Sequence, residues 1–222
     1  MSNEINKTKD TLLSSTRNVF EAYGNATTIG GPIIGQLLKF TKGDYLVGRE
    51  GEECGEKELV AVVPGILHGW TCWENNKQVE QVMGPLIEGF VPPARSTLDR
   101  NDKSRWEIDG NGKARDPWVP SVYMPMVSVD ASNVYTFSTG SDGGRRHAIG
   151  PLCQEYGAHI RQHPNELPIV KLEQDSYLHS DRSIGRVKFP LFPVERWTVG
   201  DKYIAAITAI TGRPVKLLEY VA

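Results

Sequence analysis

The sequence predicts a mainly β protein, an antiparallel barrel carrying a few helices. Three observations predict it. Short apolar stretches alternate at period two and are separated by Gly, Pro, Asn and Asp. Helical periodicity is confined to a few places. At 222 residues with 39% hydrophobic content, the chain is long enough to bury a substantial core.

The elements follow in order. Leu12, Leu13, Thr16, Val19, Phe20 and Tyr23 recur at helical spacing and stop at Gly24, so a polar tail and short helix occupy residues 1–28. The stretches "IGQLLKF", "ELVAVV" and "LHGWTCWE" then read as strands, and "ENNKQ" between Trp73 and Val79 reads as a hairpin loop. Residues 84–118, with "VPPARS" and "DGNGK", predict a long irregular, mobile segment. Strand character returns in "SVYMPMVSV" and "NVYTFST", joined by a turn at Asp130 to Asn133.

Ile149, Leu152, Cys153, Tyr156 and Ile160 share one helical face. An interior proline costs about 3 kcal/mol, so this helix is expected to start near Pro151, leaving Arg145, Arg146 and His147 on the incoming loop. "LPIVKLEQDSY" and "IGRVKFPLFPVERW" read as two further strands, with Pro190 and Pro193 favouring an edge or a bulge. A helix from about Asp201 to Gly212 and a short apolar segment form a C-terminal extension over 198–222. The barrel domain is thus 29–197. An OB-fold-like antiparallel barrel with helical additions is the specific architecture expected, and a β-sandwich is the alternative.

Composition narrows the function classes. A formal net charge of −2 argues against coating nucleic acid by bulk charge, yet "GGRRHAIG" and "SIGRVKFP" are locally basic while acids gather in "GREGEECGEKE". The polar start has no apolar core of a signal, and no run approaches the roughly 18 residues of a span, so a cytoplasmic protein without a membrane is expected. Three scattered cysteines form no CxxC pair, and no HExxH-type spacing joins the histidines, so no metal, cofactor or disulfide framework is expected. Cys153 falls on an apolar helix face, and Asp116, Asp130, Asp142, Glu173 and Asp175 follow no catalytic spacing. The expectation is a protein that is not an enzyme.

The blocks "GQLLKFTKGDYLVG", "RDPWVPSVYMPMV", "VYTFSTGSDGGRRHAIGPLCQEYG" and "PIVKLEQDSYLHSDRSIGRVKFPLFPVERW" resemble uncharacterised proteins of bacterial viruses and prophages, over roughly residues 30–197. The order of strands and helix is similar to that of viral single-stranded-DNA-binding OB-folds. The resemblance implies a phage replication or recombination setting in the host cytoplasm, and assigns no residue.

Single strands are held by aromatic faces that stack bases and by cations that track phosphates. Tyr135 and Phe137 share a strand face, as do Tyr177 and His179; Arg186 and Lys188 alternate against Val187 and Phe189, and Lys171 against Val170 and Leu172. In "STGSDGGRRHAIG", Gly143 and Gly144 free the backbone before a helix N-terminus, and Arg145 and Arg146 supply donors to phosphate. These nine side chains, namely Tyr135, Phe137, Arg145, Arg146, Lys171, Tyr177, His179, Arg186 and Lys188, are the candidate site for single-stranded DNA. The competing expectation is a protein–protein contact through the 84–118 loop, with Trp106 and Trp118 exposed as its anchors. Self-association into a homo-oligomer is compatible with either.

Overall fold

The computed structural model describes residues 33–110, 112–180, 182, 184–211 and 215. The N-terminal helix read over residues 12–23, and most of the chain beyond 211, lie outside the described residues.

The fold is mainly β, a strongly curled, half-barrel sheet with few helices. Its strands are β1 (Gln36–Thr41), β2 (Asp44–Val47), β3 (Glu52–Glu53), β4 (Glu58–Ala61), β5 (Leu67–Glu74), β6 (Lys77–Pro85), β7 (Glu107–Ile108), β8 (Ala114–Arg115), β9 (Trp118–Ser128), β10 (Val134–Thr139), β11 (Glu166–Lys171), β12 (Glu173–Leu178), β13 (Arg186–Leu191) and β14 (Val194–Val199). The large sheet runs β14-β11-β4-β9-β10-β1-β2-β3, with β5 and β6 attached through β9. This is one continuous curled sheet rather than the facing sheets of a sandwich.

β9 is the spine. Along one edge its first half pairs with β5 as far as Tyr123 and its last residues pair with β4 from Met126. Pro125 sits in the gap where the two neighbours change over, the place where a missing N–H costs least. The Val62 N–H donates to the Pro125 carbonyl at 2.9 Å and closes that gap. The β5–β6 hairpin turns on Asn75 and Asn76, both at positive φ (52° and 58°), as its two-residue loop requires. One pair departs from the antiparallel expectation: β1 lies parallel to β10, with Gln36 opposite Tyr135. The whole β2–β9 excursion separates these strands, so no hairpin dictates their direction.

The last two predicted strands each bend into two. "LPIVKLEQDSY" breaks at Leu172 and its partner at Phe192 and Pro193, so β11 and β14 stay in the large sheet while β12 and β13 leave as a separate hairpin. Pro193, which cannot donate, marks the bend, and the Lys171 N–H donates to its carbonyl at 3.0 Å.

Pro151 falls at the start of a regular α-helix, α1 (Gly150–His159), as expected. The residues before it do not form a loop, however. Gly144–Ile149 is a π-helical turn continuous with α1, in which the Gly150 N–H reaches back to the Arg145 carbonyl. The wider turn accommodates a proline that can neither donate to residue i−4 nor tolerate its carbonyl. Leu152 and Tyr156 bury the helix face into the core, with Ile160 packed beside them. A second helix, α2 (Asp201–Thr211), sends Tyr203 and Ile207 into the same core, so this C-terminal element is part of the main packing unit.

The 84–118 segment, expected to be an irregular loop, carries the short β7–β8 hairpin and is densely cross-braced. All three Arg95 guanidinium nitrogens donate: to the Asp116 carboxylate, to the Asn101 side chain and to the carbonyls of Asp99 and Arg100. Trp118 is not exposed but 2% accessible, its ring N–H bonded to Asp99 at 2.9 Å, because it opens the central strand β9. The partly buried Trp106 donates to the Arg100 carbonyl at 2.8 Å, with Lys103 5.7 Å from its ring. Of the two indoles expected to be exposed, Trp118 is thus buried, while Trp106 is half-buried with its ring N–H engaged.

Candidate nucleic-acid interface

The predicted residues separate into four groups. Tyr135 and Phe137 do not face a ligand: they are 6% and 0% accessible, because β10 is covered on both faces. Phe137 meets the Phe192 ring edge-on at 4.8 Å, and burial pushes the Tyr135 hydroxyl well above its ordinary range.

Lys171 is partly exposed but engaged in an ion pair. It pairs with Glu195 at 2.9 Å and lines a groove of about 890 Å³ with Asp44, Glu53, Glu56, Glu58 and Glu173. The Glu195 carboxylate holds the ammonium above its usual range, and the carboxylates of this groove outnumber its two lysines, Lys57 and Lys171, so its lining is net negative. Arg196, bonded to Glu58 at 2.7 Å, holds that carboxyl below its usual value.

Arg186 and Lys188 are exposed on β13 but point away from Tyr177. Tyr177 pairs across the hairpin with Val187 and Lys188 with Ser176, and cross-strand partners share a face. Lys188 therefore lies over the β1–β2 turn, where a Cβ added to Gly43 would stand 2.4 Å from its Cδ.

The fourth group does come together. The π-turn packs on β13: the His147 ring stacks on Phe189 at 4.0 Å, and Phe189 lies 6.0 Å from Tyr177, which is 6.4 Å from His179. Arg146 and His147 are exposed beside this row of rings. Arg145 is only partly available, since one end of its guanidinium is taken by Asp142 and its Nε is buried with no hydrogen-bond partner among the described residues. The N–H groups expected to cradle phosphate are partly used as well. Gly144 N–H donates to the Ser141 hydroxyl at 3.0 Å, and Gly150 N–H to the π-turn itself.

Sequence reasoning missed a second surface. Ser138–Ser141, which leads into the π-turn, rims a groove of about 470 Å³ lined by Phe40, Trp73 and Tyr123 together with Lys39 and Arg49. Lys39 and Arg49 are exposed. The parallel β1–β10 pairing and the β5–β9 pairing bring these residues together from distant parts of the chain. Acids thus line one groove, while cations and aromatic rings line the other.

The histidines hold a further arrangement absent from the expectations. His159 ends α1, a tight turn follows, and Glu166 opens β11, so His159, His163 and Glu166 converge with their ligand atoms within 4.8 Å of one another. Cys153, by contrast, lies apart from such chemistry, and burial raises its thiol. Among the described residues no helix is long and apolar enough to cross a membrane.

No protein-family model, no curated protein and no solved structure matches this chain, so the reading of its function rests on the geometry above.

Proposed function

We propose that this protein binds single-stranded nucleic acid, DNA in the phage or prophage setting that its sequence blocks resemble, and that it does so without catalysis. The observation that carries the reading is that Ser138–Ser141, which rims a groove of rings and cations, runs directly into the π-turn whose His147 stacks on Phe189. The groove of Phe40 and Trp73 with Lys39 and Arg49, backed by the buried Tyr123, lies on one side, and Arg146, His147 and Tyr177, packed over the buried Phe189, lie on the other. Aromatic walls accept bases of any identity at roughly 1 to 3 kcal/mol each, and the exposed cations accept the phosphates between them. A groove of 470 Å³ is in the size range of small-ligand sites, enough for an unstacked base. The carboxylates around Glu53 and Glu173 line the other groove and keep the strand off that side.

The test is a titration of the protein with an unlabelled oligonucleotide, followed by tryptophan fluorescence at several salt concentrations. Trp73 in the groove serves as reporter. Each phosphate contact on a single strand contributes about 0.7 to the salt slope, so the double variant K39A/R146A flattens it by about 1.4 and weakens binding to all sequences alike. A folded double variant with unchanged affinity and slope refutes the proposal. A second reading draws on the β12–β13 hairpin, whose tip exposes Leu178 (68%) and Ile184 (52%): an apolar contact with a protein partner. It predicts no fluorescence response to oligonucleotide at any salt concentration.

A further inference from the structure

We propose that His159, His163 and Glu166 form a site for one divalent transition-metal cation, zinc above all, clasping the end of α1 to the start of β11. The Nε2 of His159 lies 2.7 Å from one Glu166 oxygen, and the Nδ1 of His163 lies 3.7 Å from the other. Two imidazole nitrogens and a carboxylate thus converge on one point from one short stretch of chain. The turn between them is closed by backbone bonds: the His163 N–H donates to the His159 carbonyl and the Glu166 N–H to the His163 carbonyl, each at 3.2 Å.

Three details favour a metal over an ordinary ion pair. The two imidazoles stand side by side, their ring centroids 4.6 Å apart, so both lie within reach of the same carboxylate. The His159 ring is fixed from behind, lying flat on Trp197 at 3.5 Å and 6°, which orients its ligating nitrogen as a supporting shell does. The His163 side chain is 51% exposed and free to close the last gap. Zinc bonds of about 2.1 Å in a tetrahedron place ligand atoms about 3.4 Å apart, so the 4.8 Å limit needs a shift of at most about 1.4 Å. Imidazole with carboxylate suits zinc, copper and nickel, while magnesium and calcium demand oxygen ligands. Three protein ligands leave a fourth position, which faces solvent and takes water.

The experiment uses the full chain, freed of metal with a chelator and titrated with zinc chloride in a calorimeter. Nickel-induced quenching of tryptophan fluorescence is read alongside, since Trp197 stacks directly on a ligand. The expected result is one zinc per chain, a melting temperature that rises with added zinc, and nickel quenching that the W197F variant diminishes. H163A and E166Q each weaken zinc binding by at least about tenfold, the loss that even an outer supporting partner causes. His163 is half exposed, so H163A folds, and its metal-free melting temperature checks this directly. H147A and H179A, which alter histidines elsewhere, titrate like the wild type. Either no zinc uptake by the wild-type chain, or uptake undiminished in H163A and E166Q, overturns the proposal.

Discussion

Replacing Arg95 by methionine tests whether one side chain organises the 84–118 segment. Arg95 is 20% exposed and Asp116, its bidentate partner, 33%. Removing one member of a fully buried pair costs about 3 to 5 kcal/mol, and an exposed pair contributes about 0 to 1 kcal/mol. The partial burial lies between these limits. The same change also strips a donor from the Asn101 side chain and from the carbonyls of Asp99 and Arg100. The loss is therefore expected to be about 2 to 3 kcal/mol. Methionine keeps the stem beside the Trp106 ring, whose centroid lies 6.0 Å from the guanidinium carbon, so the loss reports polar contacts rather than packing. Urea unfolding measures it as a lowered midpoint at unchanged slope.

Limited proteolysis adds a local readout, with new cleavage between residues 95 and 116 in R95M and resistance there in the wild type. Asp116 also accepts from the Trp118 backbone N–H, so D116N is destabilising as well, and the double variant costs less than the sum of the singles by about 1 kcal/mol. An R95M midpoint equivalent to less than about 0.5 kcal/mol of destabilisation, with the wild-type cleavage pattern, refutes the reasoning.

Three further outcomes are expected. G69A destabilises the β5–β6 hairpin by about 2 to 4 kcal/mol in thermal or urea unfolding, because residue 69 has φ of 150° and a Cβ there would stand 2.1 Å from the Val82 carbonyl oxygen. Asp130 is pushed down to about 2 by the Ser128 hydroxyl and by the backbone and hydroxyl of Ser132. Its folded value lies below the ordinary 3.8, so its contribution is complete above pH 4 and lost as pH falls toward 2; the stability gap between wild type and D130N, followed by urea unfolding against pH, closes over that window. Y156F is neutral or stabilising in the same assay, since the Tyr156 hydroxyl is buried with no hydrogen-bond partner among the described residues and a phenylalanine leaves nothing unsatisfied.

The fold class was legible because local rules agreed with the tertiary outcome. Asn75–Asn76 announced the β5–β6 turn, and Pro151 announced the start of α1. The site was harder to read, for a reason visible in β10. Period two assigns alternate residues to alternate faces, but says nothing of whether either face meets solvent. Tyr135 and Phe137 belong to a strand covered on both sides, so the alternation that made them a stacking platform holds while the platform does not. Arg186 and Lys188 show the complementary limit: their alternation is correct, yet the register with Ser176 turns them away from the aromatic row.

Residues drawn together by non-local pairing leave no local trace at all. Lys39 and Arg49 reach the groove beside Ser138–Ser141 because β1 lies parallel to β10, a pairing no turn between them specifies. His159 and His163 are the opposite case. Four residues apart, they are brought together by the turn that follows α1, closed by the His163 N–H on the His159 carbonyl, and that spacing was present in "HIRQHPNE" all along. What it lacked was Glu166, which joins only after the chain has turned from α1 into β11. A ligand set split across such a turn is visible as two histidines in the sequence, and as a site only once the carboxylate has folded back to meet them.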